Sequence, residues 1–294
     1  NNIPASFGYV ESGGFFYGLS MILRTLLPAS VYRLKEKAKR YKGFPEGFSK
    51  AKLSTKATSD SGHPDHLSTA QKAQIASAAF DLMGWDTFAP LVVFAGHGSE
   101  TSNNPFGSSL DCGACAGSKG RHNARILADI CNEQKVRTAL AEQHDIHIPE
   151  DTLFVAAEHN TTSNGFEFFD QHLPDTKQTQ IEELKRKLDN AQHLANQEQF
   201  NLADANATQT LDEAHRRTSD WAETRPEWGL AGNASFIIGP RALTSNLDLE
   251  ARSFLHSYDW QKDPDGKKLE AILQGPMVVT QWINSHYYFA AVDN

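Results

Sequence analysis

Positive charge is in short supply. Across 294 residues Lys and Arg number 28 against 36 Asp and Glu, so the formal net charge is -8 with His neutral. A nucleic-acid binder would need a basic face for its phosphate contacts, so that class is disfavoured. Long apolar runs are missing too. No stretch approaches the roughly 18 apolar residues of a membrane-spanning helix. The longest candidate, Gly13 to Leu27, is interrupted by Gly18, Ser20, Arg24 and Thr25. It is too short and too polar to span, which leaves an interface or a partner groove as its place. Cysteine is scarce: Cys112, Cys115 and Cys131 are the only three, and the first two form a C-x-x-C. An odd count with no signal-peptide pattern points to a reducing compartment, with thiols or metal ligands in preference to structural disulfides. Apolar residues are not lacking. At 39% hydrophobic and 10% aromatic the chain has enough to build a core, which excludes disorder throughout. Its length fits one large or two ordinary domains. It starts at Asn1 without Met and stops just after the apolar Tyr287 to Val292, so it is expected to be a piece of a longer protein.

The first 60 residues divide into a Gly- and Phe-rich segment, Phe7 to Leu27, and a basic stretch from Tyr32 to Lys56. Such a basic cluster reads as a solvated connector, or as a docking surface for a partner or anionic lipid. Residues 61–294 read as an α/β domain. Ser68 with Gln71 makes a capping box ahead of a helix carrying Ala73, Ala76 and Phe80. Pro90 to Ala95 is a β-branched run without alternation, as in a strand buried on both faces, and it leads into Gly96-His97-Gly98-Ser99. Two helical pieces follow the polar stretch Gly98 to Gly120. Then Thr152 to Ala157 repeats the pattern, leading into Glu158-His159-Asn160-Thr161-Thr162. Recurring helix, strand and polar loop imply a mostly parallel sheet flanked by helices. A peripheral helical insertion is expected at about 172–220, with Ile181, Leu184, Leu188, Ala191 and Leu194 on one helical face. Ala234 to Ile238 is a third strand, Lys267 to Leu273 a short helix, and Met277 to Val292 a helix or strand.

In open α/β sheets, sites form beyond the carboxyl ends of the strands. There His97 is followed fifteen residues later by Cys112, in Asp111-Cys112-Gly113-Ala114-Cys115. Neutral imidazole and thiolate are the donors zinc prefers, and the glycines around His97 would let backbone approach a metal. Inert packing of the same residues and a redox dithiol remain open, although the Gly and Asp flanks are unlike a thioredoxin-type pair. A Cys–His nucleophile lacks an assignable orienting group, although Asn104 and Asp111 lie near in sequence. His159 holds a similar strand-end position and is a candidate to face the same crevice. Glu158 and His159 are not expected to share a metal, since neighbours on a strand point to opposite faces. A Walker P-loop and a G-x-S-x-G elbow are both absent.

Several strings resemble the DabA family of inorganic-carbon transporter subunits across nearly the whole chain. They are Gly96-His97-Gly98-Ser99, Asn103-Asn104-Pro105-Phe106, Asp111-Cys112-Gly113-Ala114-Cys115, His159-Asn160-Thr161-Thr162 and Trp221-Ala222-Glu223. To these are added Arg225-Pro226-Glu227-Trp228-Gly229-Leu230-Ala231-Gly232-Asn233 and Met277-Val278-Val279-Thr280-Gln281-Trp282-Ile283-Asn284. The resemblance implies a fold similar to β-carbonic anhydrase, with one zinc held by Cys, Asp, His and a second Cys. Matched residue by residue, the family's His falls on His97 and its second Cys on Cys112, with Cys115 a neighbour and not a ligand. The family's first Cys and its Asp precede the segment that matches Gly14-Phe15-Phe16, and no such Cys-x-Asp string occurs here. Half of the zinc shell is therefore expected upstream of Asn1.

The resemblance further implies an energy-coupled pump working on carbon dioxide and bicarbonate, peripheral on the cytoplasmic face of the cell inner membrane. Its expected partner is a proton-channel-like integral membrane subunit, DabB. Two other readings stand beside it: a non-catalytic zinc-stabilised interaction module, and a free-standing carbonic anhydrase.

Overall fold

A computed structural model describes residues 3–41, 67–99, 119–169, 174–220, 232–250 and 252–291. Two helices open the chain, α1 (Ile3–Leu26) and α2 (Pro28–Tyr41), so the stretch read as a connector is helical as far as Tyr41. Tyr32 is buried and stacks on His215 at 4.4 Å between ring centroids, and Arg33 approaches Asp212 at 3.6 Å. Among the described side chains of α1, Phe15, Phe16 and Tyr17 are exposed, Phe15 by 78%. Among the described residues no single helix is long and apolar enough to cross a membrane. The pair Glu11–Leu26 and Pro28–Leu34 passes that test only jointly, and it is bent by 116° at the break.

Helix α3 (Thr69–Met83) starts at the capping box the sequence contains: Gln71 N–H donates to Ser68 Oγ at 3.2 Å, and Ser68 N–H donates to Gln71 Oε1 at 2.9 Å. It stops at Gly84, whose φ of 69° is the left-handed conformation that closes helices. Strand β1 (Leu91–Gly98) follows, then α4 (Arg121–Asn132), α5 (Gln134–His144), β2 (Leu153–Asn160) and β3 (Gly165–Phe169). β1 and β2 are parallel with Leu91 opposite Leu153, whereas β3 returns antiparallel to β2 with Asn160 opposite Gly165. The result is a mixed three-stranded sheet in the order β1-β2-β3.

One face of this sheet carries the core. Val92, Phe94, Phe154 and Ala156 pack with Ala73, Ala76 and Phe80 of α3, Ala124, Ala128 and Ile130 of α4, and Val136 and Leu140 of α5. Phe94 and Phe154 stack with centroids 5.4 Å apart, and Phe88 meets Phe80 edge-on at 4.8 Å. Burial of this kind stabilises by about 1.5–3 kcal/mol for each large side chain. β2 is buried on both faces, as its run of apolar residues implies, but Ala95 of β1 is exposed. Polar anchors fix the start of β2. Asn132 Nδ2 donates to Phe154 O at 2.8 Å and its Oδ1 accepts from Phe154 N at 3.1 Å. Arg137 donates to Thr152 O at 2.7 Å and to Cys131 O at 2.8 Å.

Helix α6 (Asp175–Phe200) and α7 (Ala207–Ser219) come next, the latter started by a second capping box, Asn206 with Gln209. The third expected strand exists as β4 (Ser235–Ile238). It pairs in parallel with β5 (Ser253–His256) in a separate two-stranded sheet. Helices α8 (Lys267–Gln274) and α9 (Pro276–Ala291) complete the described chain.

Candidate functional site

The carboxyl ends of β1 and β2 hold the polar side chains that the sequence singled out. Parallel register places His97 opposite His159, and Gly96 and Gly98 opposite Glu158 and Asn160. Paired residues of neighbouring strands share a face and successive residues alternate. The imidazoles of His97 and His159 thus belong to one face of the sheet, and the Glu158 carboxylate to the other.

On the imidazole face, His159 stacks on Phe166 of β3 with centroids 4.7 Å apart. Burial holds its pKa below the usual imidazole value of 6.5, His97 adds to the effect, and a hydrogen bond with Asn164 works against it. The shift favours the uncharged ring, which Phe166 and Asn164 hold in place. Asn164 lies in the tight turn between β2 and β3 at φ 57°. Its Nδ2 donates to Asn196 Oδ1 and Gln199 Oε1, each at 2.9 Å, while Asn196 Nδ2 donates to Ser163 O at 3.1 Å. Helix α6 thus supports this imidazole from behind.

On the opposite face Glu158 is only 3% exposed. Arg121 grips it through Nε to Oε2 and through Nη2 to Oε1 at 2.8 Å, and Lys119 Nζ lies 3.3 Å from Oε1. Arg121 also reaches Glu167 of β3 at 3.1 Å and lies over the Phe169 ring. Burial pushes the Glu158 carboxyl up, but the Arg121 hydrogen bonds and the two cationic charges outweigh it and hold its pKa below the ordinary value.

The glycines beside His97 have a steric reason. A Cβ on Gly96 would lie 2.5 Å from Gly120 O and 2.7 Å from Arg121 N, and one on Gly98 would lie 2.5 Å from Glu158 Oε1. Both positions face the helix and the carboxylate. The expectation that they open the backbone to a metal gives way to this explanation. In the same place Gly120 N–H donates to His97 O at 2.7 Å, and Thr161 N–H donates to Gly98 O at 2.8 Å.

Cys112, the second expected zinc ligand, lies outside the described residues, as do Cys115, Asn104 and Asp111. Among the described residues no group of three His, Cys, Asp or Glu is placed to hold a metal ion. His97 fits zinc in kind, as an imidazole donor at a strand end, but a protein zinc site needs at least three ligands. Cys131 is no candidate ligand: it is fully buried in the core, where desolvation pushes its thiol pKa to about 12 although the Arg137 charge opposes this. Sequence reasoning missed Arg121, Lys119 and Asn164. The available signal was Glu158 itself, a carboxylate ending an otherwise apolar buried run, which needs a cation.

Fold and site together define a protein of helices and a small mixed sheet that presents two imidazoles at the carboxyl ends of its parallel strands and a buried ion-pair cluster on the opposite face. The family described as "Probable inorganic carbon transporter subunit DabA" matches residues 1–294, and the chain belongs to that family. A curated relative of that description from Haloarcula marismortui is 50% identical over 293 residues, covering 100% of this chain and 36% of the relative. Another from Salinibacter ruber is 49% identical over 304 residues, covering 100% of this chain and 37% of the relative. A third, from Legionella pneumophila strain Philadelphia 1, is 43% identical over 298 residues and is covered to 38%. The chain thus spans little more than a third of the length of these relatives. No solved structure matches it.

Proposed function

We propose that this chain is the part of a zinc-binding, energy-coupled inorganic-carbon uptake subunit that supplies His97 and Cys112 to the metal, in a fold similar to β-carbonic anhydrase. Support comes from one observation above the rest. In a chain of this family, His97 stands near the end of β1 directly across from His159, whose ring is stacked on Phe166. Zinc at such a place would supply Lewis acidity, bringing the pKa of a water towards neutrality for addition to carbon dioxide. The chain's own residues have simpler tasks. His97 and Cys112 donate to the metal, and the remaining Cys and Asp are expected from polypeptide outside this sequence. His159, held by Asn164 and Phe166, would line the same face of the sheet beside the metal.

The whole protein, on this reading, is peripheral on the cytoplasmic face of the cell inner membrane. It hydrates carbon dioxide to bicarbonate in partnership with a proton-channel-like integral membrane subunit, DabB. The apolar side chains bared on α1 and α9, among them Phe16, Met21, Trp282 and Phe289, are what a chain working inside a larger assembly exposes. The net charge of -8 agrees with a partner other than nucleic acid. The test uses the full-length protein with its membrane partner. Zinc is expected at about one ion per chain, and His97→Ala is expected to remove both the ion and carbon uptake. Full uptake by His97→Ala, or purified complex without zinc, refutes the proposal.

A further inference from the structure

We propose that Glu158 is a positioning residue: its buried carboxylate locks together the two chain segments that flank His97, and so sets the imidazole for metal binding. This rests on the zinc reading above and adds to it a residue that holds no metal. Four observations converge on the assignment. Glu158 is among the few buried charged side chains of the described chain, and it stands two residues before the end of the central strand of its sheet. Its two carboxylate oxygens are taken by Arg121 Nε and Nη2, with Lys119 close by on the segment that leads into α4. Its Oε1 fills the space that a side chain at residue 98 would need, so any residue larger than glycine at the end of β1 must displace the carboxylate. Finally, Gly120 N–H donates to the carbonyl of His97 itself, between the two cationic residues that Glu158 holds.

Residues 97–98 and 119–121 are therefore registered on one carboxylate from two directions, and His97 carries the hydrogen bond that joins them. A buried ion pair is a poor source of net stability, because desolvation offsets most of its attraction. A pair kept at this place needs another reason, and fixing the orientation of an adjacent ligand is the reason the geometry supplies. Residues that orient metal ligands without touching the metal commonly change metal affinity by about 10–100-fold when replaced.

The experiment measures zinc affinity of the full-length protein by competition with a chromophoric chelator, alongside hydrogen exchange of residues 91–99 and 119–132. Wild type is compared with His97→Ala, Glu158→Gln and Asn132→Ala, the last loosening the start of β2 at Phe154, away from the carboxyl ends of the strands. Glu158→Gln is expected to weaken zinc binding by about 10–100-fold and to speed exchange only at 97–99 and 119–123. Asn132→Ala is expected to speed exchange around 153–155 with zinc affinity within twofold of wild type. If Glu158→Gln binds zinc as tightly as wild type while His97→Ala loses it, the positioning role is wrong and the zinc reading stands. If Asn132→Ala weakens zinc as much as Glu158→Gln, the effect is general loosening and the positioning role is equally wrong. Wild type without zinc sinks both. Should Glu158→Gln fail to fold, Glu158→Asp, which keeps the charge but withdraws it by one methylene, is read by the same criteria.

Discussion

Replacing Gly96 by alanine tests whether α4 and the end of β1 are one rigid unit. An ordinary non-bonded carbon contact is about 3.5–4.0 Å. The added methyl would sit 2.5 Å from Gly120 O and 2.7 Å from Arg121 N, so the start of α4 must retreat by about 1 Å. The atoms met are backbone, with no flexible tip to swing aside. Overpacking of this kind costs about 1–3 kcal/mol. The retreat also stretches the Gly120 N–H bond to His97 O, now 2.7 Å, a bond whose net contribution is about 1 kcal/mol. Together the local loss is about 2–4 kcal/mol, which corresponds to roughly 30- to 1,000-fold faster exchange of the amides in residues 97–99 and 119–123. Gly14→Ala is the control: nothing lies within 4 Å of its Cβ position in helix α1, so it should leave that region untouched and slightly firm its own helix. Hydrogen exchange by mass spectrometry on the full-length protein reads both variants. Exchange in 119–123 that is the same for Gly96→Ala as for Gly14→Ala would refute the rigid contact.

Two further outcomes follow from buried or hydrogen-bonded ionisable groups. The Cys131 thiol, buried and with its pKa pushed up to about 12, should resist iodoacetamide at about pH 8 in the native protein and react only once denaturant opens the core; rapid native labelling of this residue, located by peptide mapping, would show that the packing of α4 is wrong. Asp263 caps α8, accepting from Leu269 N at 3.0 Å, Lys268 N at 3.1 Å and Tyr258 Oη at 3.1 Å. Burial raises its pKa, but these bonds overcome that and hold it below the unperturbed 3.8. A depressed folded-state pKa gives a contribution that is complete above the unfolded value and vanishes as pH falls through the folded one. Protection of the first turn of α8, corrected for intrinsic exchange, should therefore be level above pH 3.8 and fall below it. Asp263→Asn should abolish that step, and a step retained in the variant would place the titration on another group.

What the sequence made legible was local. Ser68 and Gln71 announced the start of α3, and the apolar runs before His97 and His159 marked β1 and β2. Pairing was not legible. Ala234 to Ile238 read as one more strand of the sheet, yet β4 joins only β5, whose four residues Ser253–His256 carry no periodic signal of their own. β3 was missed for the same reason of length, five residues beginning with glycine. α7 falls inside the helical insertion expected at about 172–220, but its own start was not located although its capping box, Asn206 and Gln209, was in plain view, because the helix buries Thr210, Ala214 and Thr218 instead of large apolar side chains. The imidazole of His97 was found from its glycines and its strand end. Its neighbour across the ladder could be placed only once the register was known, since a parallel pairing sets residues sixty-two positions apart side by side.

The end of β2 shows why that register matters. Glu158 and His159 are consecutive, and strand alternation sends the carboxylate to the two cations of the α4 side and the imidazole to the side of His97. A slip by one residue would exchange them, setting a buried carboxylate beside His97 and a neutral imidazole beside Lys119 and Arg121 with nothing to offset their charge. The same alternation assigns the flanking glycines. Gly96 and Gly98 stand on the Glu158 face, where Gly120 and the carboxylate leave no room for a Cβ, while His97 between them projects the other way. The glycine–histidine–glycine string at this strand end therefore reports helix and carboxylate packing at its glycines and leaves the histidine to the face it shares with His159.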